Sequence, residues 1–308
     1  MPAARTPVTT WLAAVRPGFL VITLASAMLG VVVAWSCGCG RDLPAAAATV
    51  LLALLAHAAV NLYNDYGDAV GGSDAVNHAR IAPFTGGSRL VQDGVLGAAQ
   101  MREAAQMLAI VVVGGGVWLA ARAGPGLLAV GIAGLALGWA YSSPRVALMA
   151  RGWGEVAVAA GWWLVVVGAD FVQRQRFDAI PAVAAVSPAL LVAAVLWVAE
   201  FPDAEADARV GKRTLVVRLG PDAAAWTYVA LVAAAHLWAW AWWRALWLPT
   251  QAGWALASAL PAAGASAWLL AHRRTPSRLR PAIVLTLVAA VLHPLLLGAA
   301  FVAVAALR

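Results

Sequence analysis

Long apolar runs recur along the whole of this chain, and each is close to the length that crosses a bilayer. About 20 apolar residues in a helix span the hydrocarbon core. Nine such runs can be drawn, with approximate bounds 17–36, 44–64, 104–122, 126–142, 153–171, 181–200, 223–246, 251–271 and 282–306. The pattern therefore predicts an all-α integral membrane protein with about nine transmembrane helices, forming a single domain over residues 1–308.

The composition supports a membrane protein. Of the 308 residues, 63% are hydrophobic and only 11% are charged, whereas about a quarter of a soluble domain is charged. The 21 basic residues divide unevenly, about fifteen on the side of the N-terminus and six on the other. This bias predicts a cytoplasmic N-terminus in the inner membrane. The formal charge of +7 then reflects topology and contact with anionic lipid, so we expect no nucleic-acid partner.

A first polar cluster interrupts the apolar pattern at the end of the second run, in the stretch NLYNDYGDAVGGSD at 61–74. Asn61, Asn64, Asp65 and Asp68 follow the spacing i, i+3, i+4 and i+7, which places them on one face of a helix. The Gly-Gly pair after them is expected to end that helix. Asp74 follows in the loop and could fold back toward the cluster.

A second acidic cluster follows the sixth run, in AEFPDAEADARVGKRTLVVRLG at 199–220. Glu200, Asp203 and Asp207 share one helix face, and the proline between them predicts a kink or a helix start nearby. Lys212, the only lysine in the chain, and Arg213 come next. The parity of the spans places both acidic clusters on the cytoplasmic side.

Several carboxylates at the ends of membrane helices are unfavourable unless a cation offsets their charge. A carboxylate costs roughly 2.5–3.5 kcal/mol at the centre of a membrane helix and less near the interface. Magnesium binds hard oxygen ligands and commonly bridges one or two carboxylates to phosphate groups. Two facing clusters beside Lys and Arg therefore indicate a site for a Mg²⁺-bridged diphosphate. The alternative for either cluster alone is a solvated acidic loop.

These two segments resemble the paired Asp-rich motifs of the UbiA superfamily of intramembrane aromatic prenyltransferases. Asn64, Asp65 and Asp68 match its N-D-x-x-D motif, and Asp203 and Asp207 match its D-x-x-x-D motif. Weaker similarities are RPGF at 16–19, TGGSRLVQDG at 85–94, YSSP at 141–144 and RGWGE at 151–155. The resemblance implies a helical bundle around a central cavity that opens to lipid. It also implies an enzyme that ionises a polyprenyl diphosphate and transfers the allylic cation to an aromatic acceptor.

The resemblance also implies roles for particular residues. The expected ligands of two Mg²⁺ ions are Asn61, Asn64, Asp65, Asp68, Asp203 and Asp207. The four aspartates among them are also the expected catalytic residues. The expected diphosphate-binding residues are Arg89, Lys212 and Arg213. The further candidates for the substrate pocket are Tyr141, Trp139, Asp74 and Glu200. Of these, the aromatic faces of Tyr141 and Trp139 could stabilise the allylic cation.

Within the superfamily, NDYGDAVGGSD and GKRTLVVRLG are most similar to the branch that prenylates 1,4-dihydroxy-2-naphthoate in menaquinone synthesis. The chain has Ala199 and Glu200 where that branch commonly has asparagine. Two other classes of protein are alternatives. A transporter of an anionic metabolite or lipid would also place charges in a membrane cavity, and a non-catalytic membrane subunit would share the hydropathy.

Three further features carry expectations of their own. Cys37 and Cys39 have no neighbouring metal-ligand residues and are expected in a loop of small residues. His57 is expected to have a packing role. Arg151 and Glu155, at i and i+4, are expected to pair on a helix surface.

Overall fold

The computed structural model describes residues 8–306, and this part of the protein is mostly helical, with a long non-helical segment at 77–97. Arg5 and Arg308, which enter the charge count above, lie outside these residues. The α-helices are α1 Val8–Ala14, α2 Pro17–Ser36, α3 Leu43–Gly71, α4 Ser73–Val76, α5 Ala98–Ala123, α6 Gly126–Ser142, α7 Gly154–Arg174, α8 Ala179–Ala184, α9 Val186–Arg209, α10 Leu215–Arg244, α11 Ala259–His272 and α12 Arg280–Ala305. Short 3₁₀ helices cover Leu148–Ala150, Thr250–Ser258 and Pro276–Arg278.

The predicted fold class, an all-α membrane protein, is confirmed. Among residues 8–306, eight helical segments are long and apolar enough to cross a membrane. The ninth predicted span corresponds to α6, an apolar helix of 17 residues. At 1.5 Å per residue it extends about 26 Å, slightly less than the roughly 30 Å hydrocarbon core. The count of nine is therefore approximate.

Helix α3 carries the first polar cluster, and it continues well beyond the predicted bound at residue 64. It begins where the Asp42 carboxylate accepts a hydrogen bond from the Ala45 N–H at 2.9 Å. It ends at Gly72, whose φ of 80° is the left-handed cap that glycine favours. Its 29 residues extend about 43 Å, so the cluster lies near one end, where the helix emerges from the hydrocarbon.

Helix α9 carries the second cluster and is also continuous. Pro202 lies inside it, so the predicted helix start at this proline is wrong. The helix runs on to Arg209, and a short loop containing Lys212 leads into α10. As a result, the aspartates of both clusters occupy the last two turns or so of long helices.

Close helix contacts set the positions of these helix ends. At Gly67 of α3, a Cβ atom would lie 2.7 Å from the backbone oxygen of Ser142, the last residue of α6. At Gly30 of α2, a Cβ atom would lie 2.2 Å from the backbone oxygen of Val166 in α7. Neither position has room for a larger residue, so α3 packs tightly on α6, and α2 on α7.

The bundle has a packed side and a side that faces a cavity. Residues of α9, α10, α11 and α12 form a buried apolar core that includes Trp197, Tyr228 and Ile283. Residues of α2, α3, α5, α6, α7 and α9 line a central cavity. Helix α5 exposes Met107 and Ile110 on its outer surface, as expected for a helix that contacts lipid.

The end of the bundle opposite the acidic clusters contains the cysteines. Cys37 and Cys39 form a disulfide, a link that the sequence analysis did not predict. Nearby, Gln173 joins α7 to the start of α3 through a 3.0 Å bond from the Asp42 N–H. The disulfide and this hydrogen bond therefore stabilise the end of the bundle that lies away from the acidic clusters.

Candidate functional site

The first cluster presents two buried carboxylates at the C-terminal end of α3. Asp65 and Asp68 are only 2% and 8% exposed. On the same face, the Asn61 side-chain amide donates to the Val15 backbone oxygen at 3.0 Å. The Asn64 amide lies 3.1 Å from the Met149 sulfur. The predicted i, i+3, i+4 and i+7 face therefore points inward, toward neighbouring helix ends.

Lys212 joins the two acidic clusters. Its Nζ atom lies 3.0 Å from Asp68 Oδ1 and 3.1 Å from Asp207 Oδ1. Burial opposes the charged form of this lysine, but Asp68 and Asp207 outweigh it and raise the pKa of Lys212. Lys212 is therefore a fixed cation between α3 and α9, and it follows Asp68 by 144 residues in the sequence.

Asp203 is held differently, by the segment that follows α4. Its Oδ1 accepts a hydrogen bond of 2.6 Å from the Asn77 amide, and its Oδ2 accepts one of 3.1 Å from the Gly86 N–H. The Ser88 N–H donates to Asp65 Oδ2 at 3.2 Å. Backbone groups of one loop therefore bind carboxylates of both clusters. Sequence spacing did not indicate these loop contacts.

Arg16 is a second, partly buried cation in the site, and the sequence analysis did not assign it. Its guanidinium forms an ion pair with Asp65. Burial opposes its charge, whereas Asp65, Asp74 and Asp68 together raise the pKa of Arg16. Its Nε has no partner among residues 8–306. The available signal was the RPGF segment, in which a basic residue directly precedes the first span.

Asp74 does lie beside the first cluster, as the predicted fold-back requires. It is buried in α4, and a Cβ atom on Gly87 would lie 2.3 Å from its Oδ2 and 3.3 Å from Asp65 Oδ1. Burial, followed by repulsion from Asp68 and Asp65, raises the pKa of Asp74 to about 7. The site therefore contains more negative charge than its cations offset.

The other two predicted diphosphate-binding residues occupy different positions. Arg89 donates from Nη1 to the backbone oxygen of Asp74 at 2.6 Å, so it lies at the edge of the acidic site. Arg213 has an exposed side chain, and its backbone N–H donates to Ala150 O at 2.8 Å. The structure thus brings Lys212 and Arg89 to the site but leaves Arg213 at the surface.

Glu200 and Glu155 lie near each other and near Tyr141. The sequence analysis did not foresee this arrangement. Both carboxyl groups are buried and near each other, and three of their oxygens have no partner among the described residues. The expected surface pair of Arg151 and Glu155 is wrong. Arg151 precedes α7 and donates to the Arg145 backbone oxygen at 3.2 Å, whereas Glu155 points inward.

An apolar cavity of about 800 Å³ begins at the acidic site and extends between the helices. Arg16, Asn61 and Asn64 contribute to its lining near the clusters, and Tyr141 and Trp139 contribute from α6. Most of the remaining lining is aliphatic. A molecule with an anionic head and a long hydrocarbon tail matches this division between a charged mouth and an apolar interior.

The donor set fits a divalent cation in its chemistry. Carboxylate and amide oxygens from α3, α4 and α9 are the ligand types that Mg²⁺ prefers. Burial, and then repulsion from Asp68 and Asp65, raises the pKa of Asp74, and added positive charge would relieve this repulsion. No three acidic, histidine or cysteine side chains converge as a preformed metal group within residues 8–306, because Arg16, Lys212 and Asn77 occupy several of the oxygens.

Comparison with known proteins agrees with this arrangement. The model of the UbiA prenyltransferase family matches residues 19–288. The chain belongs to the UbiA prenyltransferase family. The family predicted from the two motifs is thereby confirmed, as is the predicted enzyme class, a prenyltransferase.

Curated relatives of this UbiA chain share a single activity in their names. The 1,4-dihydroxy-2-naphthoate octaprenyltransferase of Escherichia coli (strain K12) is 32% identical over 217 residues, 68% of each chain. The protein of the same name from Mycobacterium tuberculosis is 33% identical over 231 residues, 73% of this chain and 75% of its own. The predicted resemblance to the 1,4-dihydroxy-2-naphthoate branch is therefore confirmed.

Solved UbiA structures share the fold. The apo structure of a UbiA homolog from Aeropyrum pernix K1 has a TM-score of 0.72 and 17% identity, covering 92% of this chain and 97% of its own. A UbiA homolog from Archaeoglobus fulgidus, bound to DMAPP and Mg²⁺, has a TM-score of 0.63 and 15% identity, covering 97% and 100%. At these identities the comparison supports the membrane fold of the UbiA chain, and nothing finer.

Proposed function

We propose that this protein transfers a polyprenyl group from a polyprenyl diphosphate to 1,4-dihydroxy-2-naphthoate, with Mg²⁺ as its cofactor. The family membership and the names of the curated relatives support the reaction and the acceptor. The homolog solved with DMAPP and Mg²⁺ supports a diphosphate donor and the metal. The site residues assigned below are our own proposal.

The observation that best supports this proposal is the position of Lys212. It joins Asp68 and Asp207, and Arg16 and Asn64 beside it line the mouth of the apolar cavity. A diphosphate at this mouth would meet cations and acidic groups together, while its hydrocarbon tail would lie in the cavity. A transporter is less well supported, because both acidic clusters lie at the same end of the bundle.

In this mechanism, carboxylate and amide groups from the two motifs hold Mg²⁺ on the diphosphate. Those groups are Asn61, Asn64, Asp65, Asp68, Asp203 and Asp207, with Asp74 as a further member. Bound Mg²⁺ supplies Lewis-acid stabilisation of the negative charge on the leaving diphosphate. Lys212 and Arg16 donate charge-assisted hydrogen bonds to the phosphate oxygens that remain, and Arg89 holds the loop beside Asp74.

After diphosphate departure, the cavity protects the allylic cation. Its aliphatic walls exclude bulk water, which would otherwise capture the cation. Tyr141 and Trp139 line the cavity, and an aromatic face near the cation contributes roughly 0.5–2 kcal/mol. The electron-rich ring of the acceptor then attacks the cation, and a carbon–carbon bond replaces the bond to diphosphate. The attacked ring carbon loses the substituent that it carried, hydrogen as a proton or the carboxyl group as CO₂, which restores the aromatic ring.

We further propose that the acidic site faces the cytoplasm, in the inner membrane. The excess of basic residues at this end supports the assignment. Glu205 lies at the same end of the bundle, and its side chain is 76% exposed. Peptide mapping of the variant Glu205→Cys, after treatment with a membrane-impermeant maleimide, therefore reports the side of the acidic site. We expect modification at this position in inside-out vesicles and none in intact spheroplasts. The reverse result would contradict the orientation.

The reaction is tested with purified protein, Mg²⁺, a polyprenyl diphosphate and a panel of aromatic acceptors. We expect mass spectrometry of the lipid extract to find a prenylated product with 1,4-dihydroxy-2-naphthoate. Diphosphate release should depend on Mg²⁺ and stop when it is chelated. Absence of product with every acceptor, in protein shown to be folded, would refute the proposal.

Helix α9 provides a matched pair of variants for this assay. Asp207 is buried and contacts Lys212, whereas Glu205, two residues earlier, has a side chain that is 76% exposed and pairs only with Arg209. We expect Asp207→Asn to lose at least 100-fold in activity, since about 3 kcal/mol of charge stabilisation would be lost. Glu205→Gln should stay within about twofold.

A further inference from the structure

A polar contact interrupts the apolar wall of the cavity below the acidic site. Thr23 of α2, His57 of α3 and Trp162 of α7 all line the cavity. Thr23 Oγ1 and His57 Nδ1 are 2.8 Å apart. The imidazole and the Trp162 indole meet edge to face, with ring centroids 4.9 Å apart. Three helices therefore fix the orientation of one histidine ring.

The second nitrogen of His57 is left open to the cavity. Nε2 makes no hydrogen bond to another described residue, and it is not among the fully covered polar atoms. Beside it, the Trp162 N–H is covered and has no partner among residues 8–306. A prenyl chain has no group that can bond to either nitrogen, and an unpaired polar group in an apolar space is unfavourable.

The position of His57 relates this contact to the reaction site. His57 precedes Asn61 by one turn and Asp65 by two turns on the same helix. At 1.5 Å per residue, these separations are about 6 Å and 12 Å along the axis. Arg16, the partner of Asp65, is close enough to His57 to interact electrostatically. A group at His57 would therefore lie just below the reacting end of the donor.

We infer that His57 Nε2 binds a hydroxyl group of the aromatic acceptor and that Thr23 positions the ring for this contact. This inference rests on the proposed function. If the Thr23 hydroxyl donates to Nδ1, Nε2 carries a proton and donates to the acceptor oxygen. If Nδ1 donates to Thr23, Nε2 accepts the hydroxyl proton instead. A phenolic hydroxyl suits both arrangements, because it donates and accepts.

A packing role for His57, which the sequence favoured, needs only the bond from Nδ1 to Thr23. Two substitutions separate the roles. In His57→Asn the side-chain amide can replace Nδ1, whereas in His57→Gln the longer side chain can reach the position of Nε2. We expect His57→Gln to preserve acceptor binding better than His57→Asn. Full activity in His57→Asn with loss in His57→Gln would overturn the inference.

The main measurement is the KM for each substrate with the purified enzyme. Loss of one hydrogen bond corresponds to about a 3- to 10-fold change in binding. We expect His57→Leu to raise the KM for 1,4-dihydroxy-2-naphthoate at least threefold. Thr23→Val should raise the same KM by a smaller factor. The KM for the polyprenyl diphosphate should change less than twofold. A change confined to the donor KM would overturn the inference.

Thr49 provides the matched control for Thr23. Its hydroxyl also belongs to the cavity lining, but it donates to the Ala45 backbone oxygen of its own helix at 2.7 Å. We expect Thr49→Val to change the KM for the acceptor by less than twofold, because this hydroxyl already bonds within α3. If Thr49→Val and Thr23→Val raise the acceptor KM equally, the effect is a general one of cavity polarity and the inference is wrong.

Equilibrium dialysis keeps this inference distinguishable from failure of the proposed reaction. It compares binding of 1,4-dihydroxy-2-naphthoate and of 2-naphthoate, which lacks the hydroxyl groups. We expect His57→Leu to weaken binding of the dihydroxy compound only. Equal effects on both ligands, or none, would refute the hydroxyl contact. Failure of the wild-type protein to prenylate any acceptor would instead refute the proposed function.

Discussion

Lys212 provides the sharpest test of the proposed diphosphate site, through the substitution Lys212→Met. The change removes a cation that lies 3.0 Å from Asp68 and 3.1 Å from Asp207 while keeping a long side chain. If Lys212 binds a phosphate oxygen in the complex, one charge-assisted hydrogen bond is lost, worth about 1.5–3 kcal/mol. At 1.36 kcal/mol per factor of ten, kcat/KM for the donor should fall about 10- to 150-fold.

Stability should change as well, because the two carboxylates then face each other without their cation. Breaking a buried ion pair costs about 3–5 kcal/mol, so the thermal midpoint of Lys212→Met should fall in metal-free buffer. Added Mg²⁺ should raise this midpoint more in the variant than in the wild type, since the variant carries the larger surplus of negative charge.

The assay is diphosphate release with varied donor, normalised to the folded fraction measured by size-exclusion chromatography. Arg209→Gln is the control, because Arg209 is exposed at the end of α9, three residues before Lys212, and its one ion pair within residues 8–306 is with Glu205. It should change kcat/KM by less than twofold. If Lys212→Met itself stays within twofold of wild type, the assignment of Lys212 to the diphosphate is wrong.

Three further predictions test other parts of the site. Arg16→Gln should lower kcat/KM for the donor by at least tenfold, measured as above, because it removes the cation paired with Asp65; unchanged kinetics would exclude a phosphate contact. Gly67→Ala should lower stability by about 1–3 kcal/mol in a thermal melt, because its Cβ would press on Ser142 O, whereas Gly71→Ala, which meets nothing within 4 Å, should not. Bound polyprenyl diphosphate with Mg²⁺ should raise the thermal midpoint of the wild type more than that of Asp207→Asn, because a ligand that binds the folded state stabilises it; equal shifts would count against the site.

The sequence was sufficient to predict contacts that depend on helix periodicity. The face formed by Asn61, Asn64, Asp65 and Asp68 follows from residue spacing alone, because an α-helix repeats every 3.6 residues. The number of spans between the two clusters is even, and this alone predicts that both clusters lie at the same end of the bundle. The contact of Asp68 and Asp207 through Lys212 is consistent with both predictions.

Contacts set by long-range packing could not be predicted in this way. Arg16 reaches Asp65 because α2 begins beside the C-terminal end of α3, and no local pattern encodes that neighbour. Arg213 remains exposed although it adjoins Lys212, since consecutive residues of a turn point in different directions. Glu155 was assigned to a helix surface, but its helix face turns toward Glu200.

The loop over the acidic site has a consequence for sequence variation. It binds Asp203 through the N–H of Gly86 and Asp65 through the N–H of Ser88. Every amino acid except proline offers this donor, so position 88 can change its side chain freely without losing the bond. Positions 86 and 87 have φ values of 68° and 67°, which L-residues adopt reluctantly. Mutational scanning should therefore find that position 88 tolerates substitution and that the two glycines before it do not.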